Sequence, residues 1–236
     1  MCVALTSCGG DYCIVGVFNP GGTITGGTGV CAINKVFGNV SVSMTSAAAS
    51  SDAPMAPNLL HIYVTLQGIE AHPSATAPDD SPDWEELAPD LSREPIQIDL
   101  LAHQTNSCAA NLVPAAPVSA GAYHQIRLRL VPNRSPVEEA FASKNACGEL
   151  GFHCAVSPDG RSHPLILDSG ATTLRVAPDR ISGGFFSVLP DVATHLTIEF
   201  NPFSTFASPS GEAVQIIPVF SVEPTASCST DAASHP

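Results

Sequence analysis

A period of two runs through most of this chain. Val40, Val42 and Met44 alternate with Ser41, Ser43 and Thr45; Leu60, Ile62, Val64 and Leu66 alternate with His61, Tyr63, Thr65 and Gln67. Successive side chains of a strand point to opposite faces, so this pattern predicts strands with one apolar and one polar face. The same alternation recurs at Ile96–Leu100, Ile126–Leu130, Leu174–Val176, Phe186–Val188 and Leu196–Phe200. Ile69 lies three residues beyond Leu66, which predicts a bulge near Gly68. The stretch from Val214 to Val222 is apolar on both phases apart from Gln215 and Ser221, as in a central strand. Pro158-Asp159-Gly160, Asp168-Ser169-Gly170, Gly183-Gly184 and Pro209-Ser210-Gly211 separate the runs as turns. Helical signals are confined to Asp83–Leu91 and to Pro136–Lys144, the latter with Ser135 as its N-cap. The expected fold is all-β: a single antiparallel β-sandwich, immunoglobulin- or Greek-key-like, of about seven to nine strands, with long loops and little helix.

Only 13% of the 236 residues are charged and 44% are hydrophobic, which excludes a disordered acidic chain. The net charge of -13 excludes nucleic acid as a partner, because phosphates need a basic footprint. No apolar run reaches the roughly 18 residues of a membrane-spanning helix. Leu5-Thr6-Ser7-Cys8 resembles a bacterial lipobox, in which the cysteine receives lipid, and residues 1–7 look like the end of a lipoprotein signal peptide. Residues 8–37, rich in Gly and Thr, then read as a tether; residues 38–223 form the sandwich, and residues 224–236 a flexible tail. With Cys8 acylated and Cys2 removed, six cysteines remain, an even number that suits a disulfide framework in an exported protein. Proximity suggests Cys13–Cys31 and Cys147–Cys154, leaving Cys108 and Cys228.

Several segments in order resemble a known family. They are Gly38-Asn39-Val40-Ser41-Val42-Ser43-Met44-Thr45, Ser51-Asp52-Ala53-Pro54, His61 to His72, Ile98-Asp99-Leu100-Leu101, Ser119-Ala120-Gly121-Ala122-Tyr123-His124-Gln125-Ile126-Arg127-Leu128, and His163-Pro164-Leu165. Together they resemble a domain-of-unknown-function family of secreted and lipid-anchored prokaryotic β-sandwich proteins. The resemblance implies an exported, often surface-attached domain and brings no catalytic residues. The chain departs from the family pattern where Thr-Asp-Ala-Pro is stretched over Thr45–Pro54, and in an insertion that carries Cys147 and Cys154.

Candidate sites are few. Leu165 to Thr173 contains Asp168-Ser169-Gly170, similar to an aspartic-protease loop; a single copy would need a symmetric dimer to supply the second carboxylate. The same tripeptide is ordinary turn chemistry. Asp79, Asp80, Asp83, Glu85 and Glu86 could gather oxygens around calcium, although no EF-hand spacing is present. Trp84, the one tryptophan, stands beside those acids and suits either stacking on a sugar or the edge of the core. Gln125, Arg127 and Arg129 share a strand face, and His61 and His124 fall on polar phases from which they could meet as a metal pair. The expected function is that of a non-enzymatic binding or structural module, lipid-anchored at the envelope, with a glycan or an envelope protein as partner. Self-assembly by strand addition from the N-terminal segment is one alternative, and a dimeric protease using Asp168 another. No cofactor is expected, calcium excepted.

Overall fold

The computed structural model describes residues 4–9, 12–18, 24–29, 36–46, 59–102, 111–133, 145–167, 172–202, 205–210 and 212–225. It divides into two units, Met1–Lys35 and Val36–Pro236. In the first, β1 (Ala4–Gly9), β2 (Tyr12–Phe18) and β3 (Ile24–Gly29) pair in that order as an antiparallel sheet. The stretch that composition assigns to a leader remnant and a tether therefore carries three strands, and the unit boundary falls two residues before Gly38.

The second unit holds β4 (Phe37–Ser46), β5 (His61–His72), β6 (Glu85–Glu86), β7 (Ile96–Asp99), β8 (Asn111–Ser119), β9 (Gly121–Tyr123) and β10 (Gln125–Leu130). It continues with β11 (Cys154–Val156), β12 (Ser162–Leu167), β13 (Thr173–Val176), β14 (Phe186–Val188), β15 (Ala193–Phe200), β16 (Phe206–Ser210), β17 (Ala213–Ile217) and β18 (Phe220–Thr225). One sheet runs β13-β10-β5-β11-β12-β17-β16, with β6 and β7 also paired to β5. The other runs β18-β15-β4-β8, and β9 pairs with β14 apart from both. The apolar rows of the two sheets form one core: Ile62, Val64, Leu66, Ile69, Ile126 and Leu128 from the first meet Val40, Val42, Leu196, Ile198 and Phe200 from the second. The fold is all-β, with short 3-10 turns at Pro89–Ser92, Gly148–Leu150, Pro178–Arg180 and Ser182–Gly184.

Three details depart from the sequence reading. The sheets are mixed, because β4 lies parallel to β15 and β12 lies parallel to β17; strand alternation reports burial and carries no information on strand direction. Val214 to Val222 is two strands in different sheets, divided at Pro218, which has no amide to donate. Ile216 from the first strand and Phe220 and Val222 from the second enter the core, while Ile217 between them is exposed. β8 contains Pro114 and Pro117, which hid it from pattern reading; it is an edge strand, where proline is tolerated. The bulge near Gly68 is present: Arg129 faces Gly68 and the next residue, Leu130, faces Leu66. The helical signal at Asp83–Leu91 yields β6 and the 3-10 turn at Pro89–Ser92, and Pro136–Lys144 lies outside the described residues.

Cys147 and Cys154 form a disulfide, S–S 2.00 Å, that ties the turn at Gly148–Leu150 to β11. Beside it His153 is buried, accepting the Thr65 amide at Nδ1 (3.2 Å) and donating from Nε2 to the Val131 carbonyl (2.8 Å). Burial lowers its pKa, against the opposing pull of the Val131 carbonyl. Protonating Nδ1 would also break the Thr65 bond.

Gly38 admits no side chain. A Cβ there would sit 2.2 Å from the Leu189 carbonyl oxygen and 2.8 Å from Val188 Cγ1. Replacing Gly38 by Ala is expected to cost about 1–3 kcal/mol, the usual range for overpacking, read as a lower urea midpoint at unchanged m. For His153 the folded pKa lies below the unfolded one, so the unfolded chain binds more protons and stability falls as pH drops below about 6.5. The fall ends below the depressed folded value. His153→Gln should flatten the slope of melting temperature against pH between 7 and 5; an unchanged slope would contradict this assignment.

Candidate functional site

The outer face of β10 carries Gln125, Arg127 and Arg129, because Ile126, Leu128 and Leu130 turn into the core. Register places Glu70 of β5 opposite Arg127 on one side and Arg175 of β13 opposite Arg127 on the other. Two arginines side by side repel unless an anion lies between them. Glu70 is buried and takes both β10 arginines: one carboxylate oxygen pairs with Arg127 Nε, the other accepts from Arg129 Nη1 at 2.8 Å. That bond pushes the Arg129 pKa up.

The loop between β5 and β6 supplies the second anion. Asp79 accepts from Arg175 Nη2 at 2.5 Å and Nε at 3.1 Å, and its backbone carbonyl accepts from Arg127 Nη1 at 2.7 Å. Arg175 Nη1 reaches the Ala77 carbonyl and Gln125 Oε1. The guanidinium forks thus hold the loop down by charge-assisted bonds, several of them to its backbone. Trp84 closes the arrangement. Arg127 Cζ lies 4.0 Å from the centroid of its ring, and Arg175 Cζ 5.7 Å. The indole nitrogen donates to the Pro78 carbonyl at 3.0 Å, and the His72 ring meets the indole edge-on at 5.0 Å. His72 itself is buried, accepting the Ser74 amide at Nδ1 and pairing with the Ser81 hydroxyl at Nε2. Trp84 is half-buried, between the two readings its sequence context allows.

The five acids proposed for calcium are drawn apart. Asp79 binds arginine; Glu85 Oε2 accepts the Ser119 amide at 3.0 Å and lies 2.9 Å from the Tyr123 hydroxyl. Glu86 Oε1 accepts the amides of Ile69 and Ala88, and burial raises its pKa against those two bonds. Asp80 and Asp83 are exposed. Among the described residues no three His, Cys, Asp or Glu side chains cluster as a metal site would require.

His61 and His124 do not meet. They belong to opposite ends of β5: His61 faces Val156 at its start, whereas the amide of His124 bonds the carbonyl of His72 at its end. His61 Nδ1 instead pairs with Asp99 Oδ2 at 2.7 Å, and its ring stacks on Tyr63. Asp99 Oδ1 accepts the amides of Ile62 and Leu101, and the residue borders a cleft of about 140 Å³ with Met44, Thr45, Ile98, Leu100, Ala102 and Leu112. A third histidine, His195, was not singled out in the sequence. It is buried on the outer face of the smaller sheet, 2.8 Å from Ser41 Oγ and 2.9 Å from Ser43 Oγ, and burial lowers its pKa. The parallel pairing that puts Ser41 opposite His195 spans most of the chain, so spacing held no signal for it.

Asp168, Cys31, Cys108 and Cys228 lie outside the described residues. Cys8 and Cys13 stand opposite one another in the register of β1 and β2. A family model described as a domain of unknown function, DUF4382, matches residues 38–217. The chain belongs to the DUF4382 family. No curated protein and no solved structure matches it. The DUF4382 match includes every residue of the Arg127–Trp84 face and ends at the last residue of β17, so β18 lies beyond it.

Removing the Glu70 carboxylate takes from Arg127, itself nearly buried, its one buried counter-charge and leaves it only the exposed Asp79. Glu70→Ala is expected to destabilise by about 3–5 kcal/mol, as for other broken buried ion pairs, whereas Arg93→Ala at the exposed Asp90 pair should cost under about 0.5 kcal/mol. Equal losses in thermal melts would contradict the burial argument.

Proposed function

We propose that this DUF4382 domain is a non-enzymatic glycan-binding module, held at the cell envelope by lipid on Cys8. The observation that carries the reading is Trp84: an aromatic ring kept half-exposed and fixed in place, with carboxylates and two guanidinium groups around it. Sugar rings offer C–H faces to an aromatic surface and hydroxyls to planar charged groups. Asp79 and Arg175 are both partly exposed at this position and fill the second role. The fixing matters because a ring already held by Arg127, Pro78 and His72 loses little freedom on binding. Charge selects the ligand class. Asp79, Asp80, Asp83, Glu70, Glu85 and Glu86 outnumber Arg127, Arg129 and Arg175, and the whole chain carries -13, so a neutral or amino sugar is favoured over an acidic polymer.

Membrane attachment through Cys8 and export rest on the lipobox-like Leu5-Thr6-Ser7-Cys8, and the Cys147–Cys154 disulfide is in keeping with an oxidising compartment.

Trp84 is the single tryptophan, so its emission reports this face alone. Titration with neutral envelope polysaccharides should shift or quench that emission, and Trp84→Ala should weaken binding by calorimetry about tenfold or more, equivalent to about 1.4 kcal/mol. Unaltered emission across a panel of neutral, amino and acidic glycans would remove the reading. Equal binding by Trp84→Ala would move the site elsewhere.

A further inference from the structure

We propose that Val36, Phe37, Leu189 and Val192 form an apolar pole that rests on the surface of a lipid bilayer. Backbone pairing brings Phe37 against the turn that carries Leu189 and Val192, and Val36 precedes Phe37 in the chain. The Phe37 carbonyl accepts the Asp191 amide, and the Asn39 amide donates to the Val192 carbonyl, both at 3.2 Å. The turn between β14 and β15 therefore lies against the first residues of β4, as closely as Gly38 permits. The turn closes on itself through Val192 N to Leu189 O, and Asp191 adopts φ 55°, a left-handed conformation that Asp tolerates better than most residues. So held, the turn presents its apolar side chains to solvent. Leu189 is 56% exposed, Val36 52%, Phe37 48% and Val192 46%. Pro190 and Ala193, exposed beside them, add no charge; Asp191 is the one ionised side chain in the turn.

Size and position decide the occupant. Four half-exposed side chains offer a few hundred Å², against about 800 Å² per partner in a standard protein interface, which is too little for a stable dimer. Shallow contact with a bilayer needs no matching partner surface and suits a patch of this size. The chain coming from Cys8 enters the domain at Val36, within the patch itself. This inference rests on the proposed anchoring at the N-terminal end, which would hold this pole near lipid at high effective concentration. A net charge of -13 favours zwitterionic over anionic headgroups.

The test imposes the anchor, so that it does not depend on acylation. The full chain with Cys8→Ser and an N-terminal histidine tag is bound to vesicles of phosphatidylcholine containing a nickel-chelating lipid. In a Trp84→Phe background, Phe37→Trp places the only indole in the pole, and brominated phosphatidylcholine reports its contact with acyl chains. Quenching is expected at Trp introduced by Phe37→Trp, falling at least threefold when Leu189→Asp and Val192→Asp are added and falling as anionic lipid replaces zwitterionic. Both aspartates are at exposed positions, and a matching thermal melt verifies the fold. Absence of quenching, or quenching unchanged by the two aspartates, would overturn the proposal. A concentration-dependent dimer in light scattering that the aspartates abolish would overturn it in favour of a second copy. The intact mass of the native protein, with or without lipid on Cys8, tests the anchor separately.

Discussion

Covering both faces of β5 imposes the chemistry of everything around it. Its inner row, Ile62, Val64, Leu66, Ile69 and Ala71, belongs to the core, yet Thr65, Glu70 and His72 on the outer row are buried as well. A polar group taken from water must find a partner or cost several kcal/mol, and an unpaired carboxylate costs more. Each neighbour of β5 answers that demand at one level along the strand. Asp99 serves His61 and the Ile62 amide, and the Phe152 carbonyl accepts the Thr65 hydroxyl. Leu130 O accepts from Gln67, while Arg127 and Arg129 hold Glu70, and Ser81 and the Ser74 amide engage His72. Satisfaction is nearly complete: among the described residues, Ser46 Oγ is the one buried side-chain oxygen or nitrogen without a partner.

This requirement explains why the loop before β6 is pinned so firmly. The arginines that neutralise Glu70 crowd Arg175, Arg175 requires Asp79, and Asp79 brings the loop and Trp84 over the sheet. Half-buried Trp84 is the end of a chain of charge compensation that begins in the core. Any ligand at that face would meet a surface whose shape is set by buried electrostatics rather than by loop flexibility.

What could be read in advance follows the range of the interactions. Alternation is local, so β4, β5, β7, β10, β13, β14 and β15 were visible from Val40 to Phe200, as was the break in phase at Gly68. The close pair Cys147–Cys154 was visible for the same reason. Strand direction was not, since β4 beside β15 and β12 beside β17 depend on which strands meet. The candidate site was seen only in pieces. Alternation puts Gln125, Arg127 and Arg129 on one strand face and leaves Trp84 apart from them, but Arg175 and Glu70 gain meaning only from register, with Asp79 and Arg175 separated by 96 positions. His153 and His195 owe their roles to backbone and hydroxyl partners brought by other strands, which no spacing announces.

The order in which the two layers are completed has a bearing on biogenesis. β4, the first strand of the second unit, is flanked on one side by β15, and β12 needs β17 on one side. The stretch divided at Pro218 ends both layers, giving β17 to the larger sheet and β18 to the smaller. Neither of these two sheets is complete until β17 and β18 have been made, and pairings of such long range form slowly. The β1-β2-β3 sheet, built from strands adjacent in sequence, can form at once, whereas the early strands of the second unit wait for β15, β17 and β18 before either of their layers is complete.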